Sequence, residues 1–425
     1  MTHPINILII GSGGREHALA WKISQSPFCK KLYICSGNAG TSDCGENLFI
    51  PSHDFAALAK FIREHDISML VVGPEDALVA GIADYFGREI PTLNVVGPGS
   101  SGARLEGSKE FSKQFMLRHG IPSAAYRAFT IDTVLPGLEY ISQHDLPVVL
   151  KADGLAAGKG VVVCNSREEA KEIFIDMIVK KQFGQASAKV VVEQYLDGIE
   201  VSVFVLTDGK DYQIIGHAKD YKRVGEGDIG PNTGGMGCIT PVPFVDDSFM
   251  KKVMETIIKP TIDGLLKENI SYKGFIFFGL MNVSGKPYVI EYNCRMGDPE
   301  TEVVLPRLKN DLVVLLNSLF EKNLSQQEIT YIEQAVATIV AVSKGYPGTY
   351  RKGYEISLPF DTGESIIFHA GTIKNEGKIL TNGGRVLAIT STGDNIRQAV
   401  AKSRECLNKI HFEDMYYRQD IGYEF

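Results

Sequence analysis

PVVLKADGLAAGKGVVV, residues 147–163, is the segment from which the architecture can be worked out. Pro147–Lys151 is an apolar run ending in a lysine, 154–160 is rich in glycine and alanine, and 161–165 returns to strand-like composition. The loop is one residue too short between its glycines for a Walker A motif, and no Ser or Thr follows Lys159. A strand, a loop of small residues and a second strand describe a flap over a triphosphate. Lys151 and Lys159 bracket a backbone whose N–H groups can approach phosphate oxygens closely.

Upstream, strand-like and helix-like patterns alternate through the first hundred residues. Ile5–Ile10 is a continuous apolar run, as a buried parallel strand should be. Gly11-Ser12-Gly13-Gly14 interrupts it and Glu16–Ser24 reads as a helix. Leu32–Cys35, Met69–Val72 and Leu93–Val96 are further strands, with a helix near Phe55–Glu64 and a turn at 97–102. This rhythm implies a doubly wound parallel sheet. The first glycine loop starts like a dinucleotide fingerprint, but Glu16 stands at its third glycine and no acidic residue ends the second strand. A phosphate site without a dinucleotide fits better, and a plain tight turn is the alternative. Ser108 is the expected N-cap of a helix to about His119, stopped by Gly120-Ile121-Pro122.

Downstream, Ser166-x-x-Glu169 reads as a capping box opening a helix to about Lys181. Strands follow at 189–195, 200–206 and 212–218, then a turn-rich segment, Gly225–Gly237, with six glycines. A helix near Phe249–Lys267 precedes a hairpin, 274–283 and 287–291, across Ser284-Gly285. In YVIEYNCRMGDPE, 288–300, Glu291 and Asn293 alternate on one strand and project from one face, as hard-cation oxygens do. Arg295 continues that face, within reach of a phosphate or carboxylate. Beyond Leu324, short strands and a late helix at 395–409 suggest a small α+β domain.

Composition narrows the classes. The 425 residues are 44% hydrophobic and 22% charged, enough for about three globular domains. The longest apolar runs are far below the roughly 18 residues of a membrane span, and the N-terminus lacks a basic signal-peptide region. A net charge of −7 argues against bulk nucleic-acid binding. Seven scattered cysteines, never C-x-x-C, suggest neither disulfides nor zinc and point to a cytoplasmic setting.

Taken together, GSGGREHA at 11–18, SGNAGT at 36–41, GPE at 73–75, LKADGLAAGKGV at 150–161, GPNTGGMG at 230–237, NCRMGDPET at 293–301 and FHAGT at 368–372 resemble the ATP-grasp ligases. Within them the likeness is to the phosphoribosylamine–glycine ligase family, over the whole chain. The resemblance implies an α/β and α+β multidomain protein. An N-terminal doubly wound domain (1–103) would carry the substrate phosphate. A split ATP-grasp domain (104–325, flap at about 122–192) and a small C-terminal α+β domain (326–425) would follow. It implies a monofunctional ATP-dependent ligase of purine synthesis, acting through glycyl phosphate, with Mg²⁺ or Mn²⁺. The partners implied are glycine, 5-phosphoribosylamine and ATP, with no nucleic acid or membrane, and a monomer is expected.

Carried onto matching positions, Lys109 and Lys151 would hold ATP phosphates, and Gly154, Gly158, Lys159 and Gly160 would belong to the flap. Glu193, Leu196 and Glu200 would take the adenosine, and Glu291 and Asn293 the metal. Arg295, Lys151 and Asp220 would be catalytic. Gly13, Gly14 and Arg15 would meet the sugar phosphate, with Asn38 and Glu75 near the sugar, and Asp220, Gly234, Gly235 and Asp298 would line the glycine pocket. Lys219, Tyr221 and Cys238 depart from the family pattern, which often has Gln, His and Ala there. A sister ligase or carboxylase of the same pathway shares the ATP elements but is not expected to carry GPNTGGMG or NCRMGDPET. A nicotinamide oxidoreductase explains only the first hundred residues.

Overall fold

The computed structural model describes residues 3–156 and 160–425. The N-terminal part is a five-stranded, all-parallel sheet in the order Glu46–Leu48, Cys29–Ser36, Ile5–Gly11, Ile67–Val72, Asn94–Val96. Ile5–Gly11 is covered on both faces, which is why its apolar run does not alternate: Leu8 and Ile10 join one core cluster, Ile7 and Ile9 another. Chain order reverses beside this strand, so Gly11–Gly14 and Gly73–Glu75 flank the crevice at the strands' carboxyl ends, where open α/β sheets hold ligands. The segment 97–102 is a turn only as far as Gly99; a helix, Ser100–Gly107, begins there.

Ser108 caps the next helix, Lys109–Arg118, by accepting from Phe111 N–H at 3.1 Å, and Gly120 leaves it at φ +65°. A four-stranded antiparallel sheet follows, ordered Tyr126–Thr130, Lys189–Gln194, Val148–Ala152, Val161–Cys164. It has its own core, including Phe129, Ile141, Phe174 and Val192. The capping box is half formed: Ser166 accepts from Glu169 N–H, but the Glu169 carboxylate takes the N–H of Asn165 rather than that of Ser166. Residues 157–159 of the expected flap lie outside the described residues.

The largest sheet has nine strands. Its order is Lys286–Asn293, Gly274–Val283, Ile199–Thr207, Tyr212–Asp220, Gly237–Thr240, Ala335–Ser343, Arg385–Gly393, Ile366–His369, with Met415–Tyr416 beside Ala335–Ser343. The strands of the C-terminal α+β part continue the central sheet through Gly237–Thr240. The expected turn segment 225–237 overlaps a short hairpin, Arg223–Gly225 with Ile229–Asn232. The helix near 249–267 is continuous but passes through a π segment at Met254–Ile258. Helices Thr301–Arg307 and Leu312–Glu321 had no sequence expectation. Among the described residues no helix is long and apolar enough to cross a membrane.

The N-terminal and C-terminal parts are latched by polar groups. Asn38 donates to the carbonyls of Ser12 and His369, and His369 N–H donates to His17 Nδ1 at 2.8 Å. Burial, then the neighbouring His369, lowers the His17 pKa to about 3, so its acceptor nitrogen stays free. In the unfolded chain the ring takes a proton near pH 6.5. The unfolded state therefore binds the extra proton between about pH 3 and 6.5, and stability falls as pH drops through that window. His17→Asn keeps an acceptor but cannot titrate. The wild type should lose about 1 kcal/mol relative to this variant between pH 6 and 5 in urea unfolding. A pH-independent difference would show that His17 is not held neutral.

Candidate active site

A cavity of about 590 Å³ opens where the three parts meet. Among the described residues, three of its four lysines are in ion pairs with carboxylates. Glu193, from the four-stranded sheet, takes Lys151 at 2.9 Å and Lys113 at 3.3 Å, all three side chains being almost completely buried. Burial brings the Lys113 pKa down to about 8 against the pull of Glu193. Both pairs use Glu193 Oε2; Oε1 is buried without a hydrogen-bond partner. Lys151 also donates to the carbonyl of Ile290 at 3.3 Å. Ile290 is the extra residue of a bulge, since Val289 pairs with Leu280 and Glu291 with Gly279. The bulge turns that carbonyl toward the lysine.

Beyond the bulge, Glu291 and Asn293 alternate along the strand and both line the cavity, as the sequence reading expects. Gly279 makes room for Glu291, because a Cβ there would lie 3.0 Å from Glu291 Cγ. Burial pushes the Glu291 carboxyl up, but Lys222, Lys151, Lys109 and Arg295 together hold it below the usual range. Arg295 follows the strand's end, so loop packing and not strand periodicity places it. Glu106 Oε1 meets its Nη2 at 2.8 Å and Glu75 Oε2 its Nε at 3.3 Å. Glu106 also accepts from Cys294 N–H at 2.7 Å. Burial raises the Glu106 pKa to about 7, with Arg295 opposing.

The far side of the cavity is acidic. Burial raises Asp220, with Lys222 opposing, and burial followed by Asp220 raises Glu300 to about 8. Asp298 is held low because Arg385 and Arg15 outweigh its burial. Arg385, from the strand Arg385–Gly393, donates to the carbonyls of Gly234 and Asp298 at 2.7 Å each. Lys222 reaches Glu200 at 2.5 Å, and Lys109 donates to Gly154 O at 3.2 Å. Glu106, Glu300 and Arg385 were absent from the sequence reading. Glu300 stands in the stretch 288–300 read above, but nothing in the spacing of these three residues marks a contact across the chain.

Several expected positions fall elsewhere. The amides at the helix start after Gly13 are engaged by the chain's own carboxylates: Gly13 N–H donates to Glu16 Oε2 at 2.6 Å and Arg15 N–H to Asp298 Oδ2 at 3.4 Å. Gly14 faces the buried Glu302, whose acid burial keeps far above the usual range. Arg15 lines the cavity, whereas Gly13 and Gly14 do not. Asn38 also lies outside the lining, its side chain spent on backbone groups of residues 12–13, 40–41 and 369. Gly160, Glu75, Asp220, Gly234 and Asp298 line the cavity; Gly154, Leu196 and Gly235 do not. Gly158 and Lys159 lie outside the described residues.

Family models of phosphoribosylglycinamide synthetase match nearly the whole chain: the N domain at residues 5–106, the ATP-grasp (A) domain at 107–301 and the C domain at 336–424. The chain belongs to the phosphoribosylglycinamide synthetase family. It is 45% identical to the phosphoribosylamine–glycine ligases of Haemophilus influenzae and Vibrio vulnificus, over 99% of this chain and 98% of each relative. The crystal structure of phosphoribosylamine–glycine ligase from Thermotoga maritima is 35% identical. It covers 98% of this chain and 100% of its own, with a TM-score of 0.85. The cavity of this synthetase-family chain thus lies where all three matched regions contribute side chains.

Pairing two buried lysines with one carboxylate makes Glu193 a stability determinant. Glu193→Gln strips the countercharge from both, and unfolding free energy should fall by about 3 kcal/mol or more. Urea unfolding at pH 7 reads this directly; an unchanged midpoint would mean the lysines do not depend on Glu193.

Proposed function

We infer that this chain joins glycine to 5-phosphoribosylamine with ATP, in purine synthesis, through glycyl phosphate. A glycine carboxylate oxygen attacks the γ-phosphorus and the bond to the ADP oxygen breaks. The neutral amine of phosphoribosylamine then attacks the acyl carbon, phosphate leaves with the bonding pair, and the nitrogen sheds a proton. The division at about residues 104 and 326 is part of this reading.

Glu291 carries the proposal. It is a cavity-lining carboxylate kept ionised by four cations, yet none of them is in direct ion pair with it among the described residues. With Asn293 beside it, this is an oxygen pair suited to Mg²⁺ or Mn²⁺, hard cations that complete their shell with water and phosphates. No cluster of three or more His, Cys, Asp or Glu ligands forms among the described residues, and a phosphate-sharing site needs none. Once bound, the ion would offset negative charge on the phosphates.

The remaining roles follow the charges. Lys109 and Lys151 would hold phosphates, with Gly154, Gly158, Lys159 and Gly160 in the flap that excludes water from a labile acyl phosphate. The unpartnered Oε1 of Glu193 suits the exocyclic amine of adenine, because an unsatisfied buried acceptor is costly. Leu196 would pack beside the base, and Glu200, shared with Lys222, would accept from the ribose. Asp220, Asp298 and the loop at Gly234 and Gly235 would receive glycine, whose ammonium meets the acidic side. Arg15 and Glu75 would face the aminosugar. Arg295 would balance charge on the phosphoryl group in transfer.

Release of ADP should require both glycine and phosphoribosylamine; release indifferent to glycine would overturn the substrate assignment. Arg295→Ala should lower kcat by about 10²-fold with ATP affinity nearly unchanged. An unaltered kcat would remove Arg295 from the transfer step.

A further inference from the structure

Side chains alternate at the end of the strand Tyr212–Asp220 and just beyond it. Asp220 and Lys222 line the cavity. Lys219 and Tyr221 face away from it, toward the segment 416–425. There one carboxylate serves both: Glu424 Oε1 is 2.8 Å from Lys219 Nζ, and Tyr221 OH donates to Glu424 Oε2 at 2.7 Å. Lys219 Nζ also stands 4.1 Å from the centre of the Tyr221 ring. Tyr221 is 1% exposed and Lys219 8%, so neither has water as an easy substitute partner.

The same segment grips the hairpin that leads to the loop at Gly234. Arg418, fully buried, pairs with Asp228 at 2.6 Å and Asp420 at 2.8 Å and donates to Arg223 O. Gly227 N–H donates to Asp420 and Gln419 N–H to Glu226. Segment 416–425 thus holds two parts of the cavity wall from behind without lining it.

We propose that Glu424 is a positioning residue: through Lys219 and Tyr221 it fixes Asp220 in the site and so sets the affinity for glycine. The proposal rests on the reading that Asp220 lies in the glycine pocket. Glu424 gives both Lys219 and Tyr221 a partner. Removing the carboxylate strips the buried ammonium of its countercharge and the Tyr221 O–H of its acceptor. The strand end then relaxes toward solvent, and small misplacements near a site are costly to binding and rate.

The test is steady-state kinetics of the full chain, varying glycine and ATP separately, for wild type, Glu424→Ala, Glu424→Gln, the charge swap Lys219→Glu/Glu424→Lys, and Asp220→Asn. Glu424→Ala should raise KM for glycine about tenfold and leave KM for ATP within twofold. Glu424→Gln, which keeps an acceptor for Tyr221 but no charge for Lys219, should fall between. The swap should recover most of the loss, and it remains informative where Glu424→Ala folds poorly. An unchanged glycine KM in Glu424→Ala, with Asp220→Asn impaired for glycine, overturns the role of Glu424 alone. So does a parallel loss in every parameter that tracks the folded fraction. A normal glycine KM in Asp220→Asn overturns the pocket reading and, with it, the route proposed for Glu424.

Discussion

Burying lysines and arginines together is unfavourable unless each meets an opposite charge, and this constraint organises the molecule. Lys113 and Lys151 share Glu193, Arg295 is divided between Glu106 and Glu75, and Lys222 takes Glu200. These pairs join different parts of the chain. Glu75 belongs to the parallel sheet's crevice, Glu193 to the four-stranded sheet, and Arg295 to the loop after the central hairpin. Satisfying charge therefore also brings the parts to a common centre. The carboxylates answer most of the positive charge, while Glu291 keeps its oxygens free of direct pairing among the described residues.

The same economy explains why the first glycine loop differs from a dinucleotide site. Helix starts attract anions. Here Glu16 and Asp298 supply them from within the chain. Glu16 stands where a third glycine would be needed, and its buried carboxylate closes the turn that such a glycine would open.

Much of the fold was legible because its signals are local. The apolar run of Ile5–Ile10, the cap at Ser108 and the two strands that flank the loop after Lys151 each depend on a few adjacent residues, and each formed as read. So did the alternation of Glu291 and Asn293. The failures were non-local. Arg295 could not be placed by strand periodicity because the strand ends at Asn293, and its carboxylate partners lie some 190 and 220 residues away in sequence. The continuation of the central sheet into the C-terminal strands depends on Gly237–Thr240, a four-residue strand that starts on the last glycine of a segment read as turn. The hydrogen bonds that tie Asn38 to His369 and the glycine loop were likewise invisible, because nothing nearby in sequence shows them.

The four-stranded sheet carries Lys151 and Glu193, and among the described residues its main apolar cluster is its own. The contacts that hold it to the rest at the cavity are charged and polar, notably Lys113 with Glu193 and Lys151 with the Ile290 carbonyl. How firmly this sheet is held there therefore depends on the charge in the cavity between the parts.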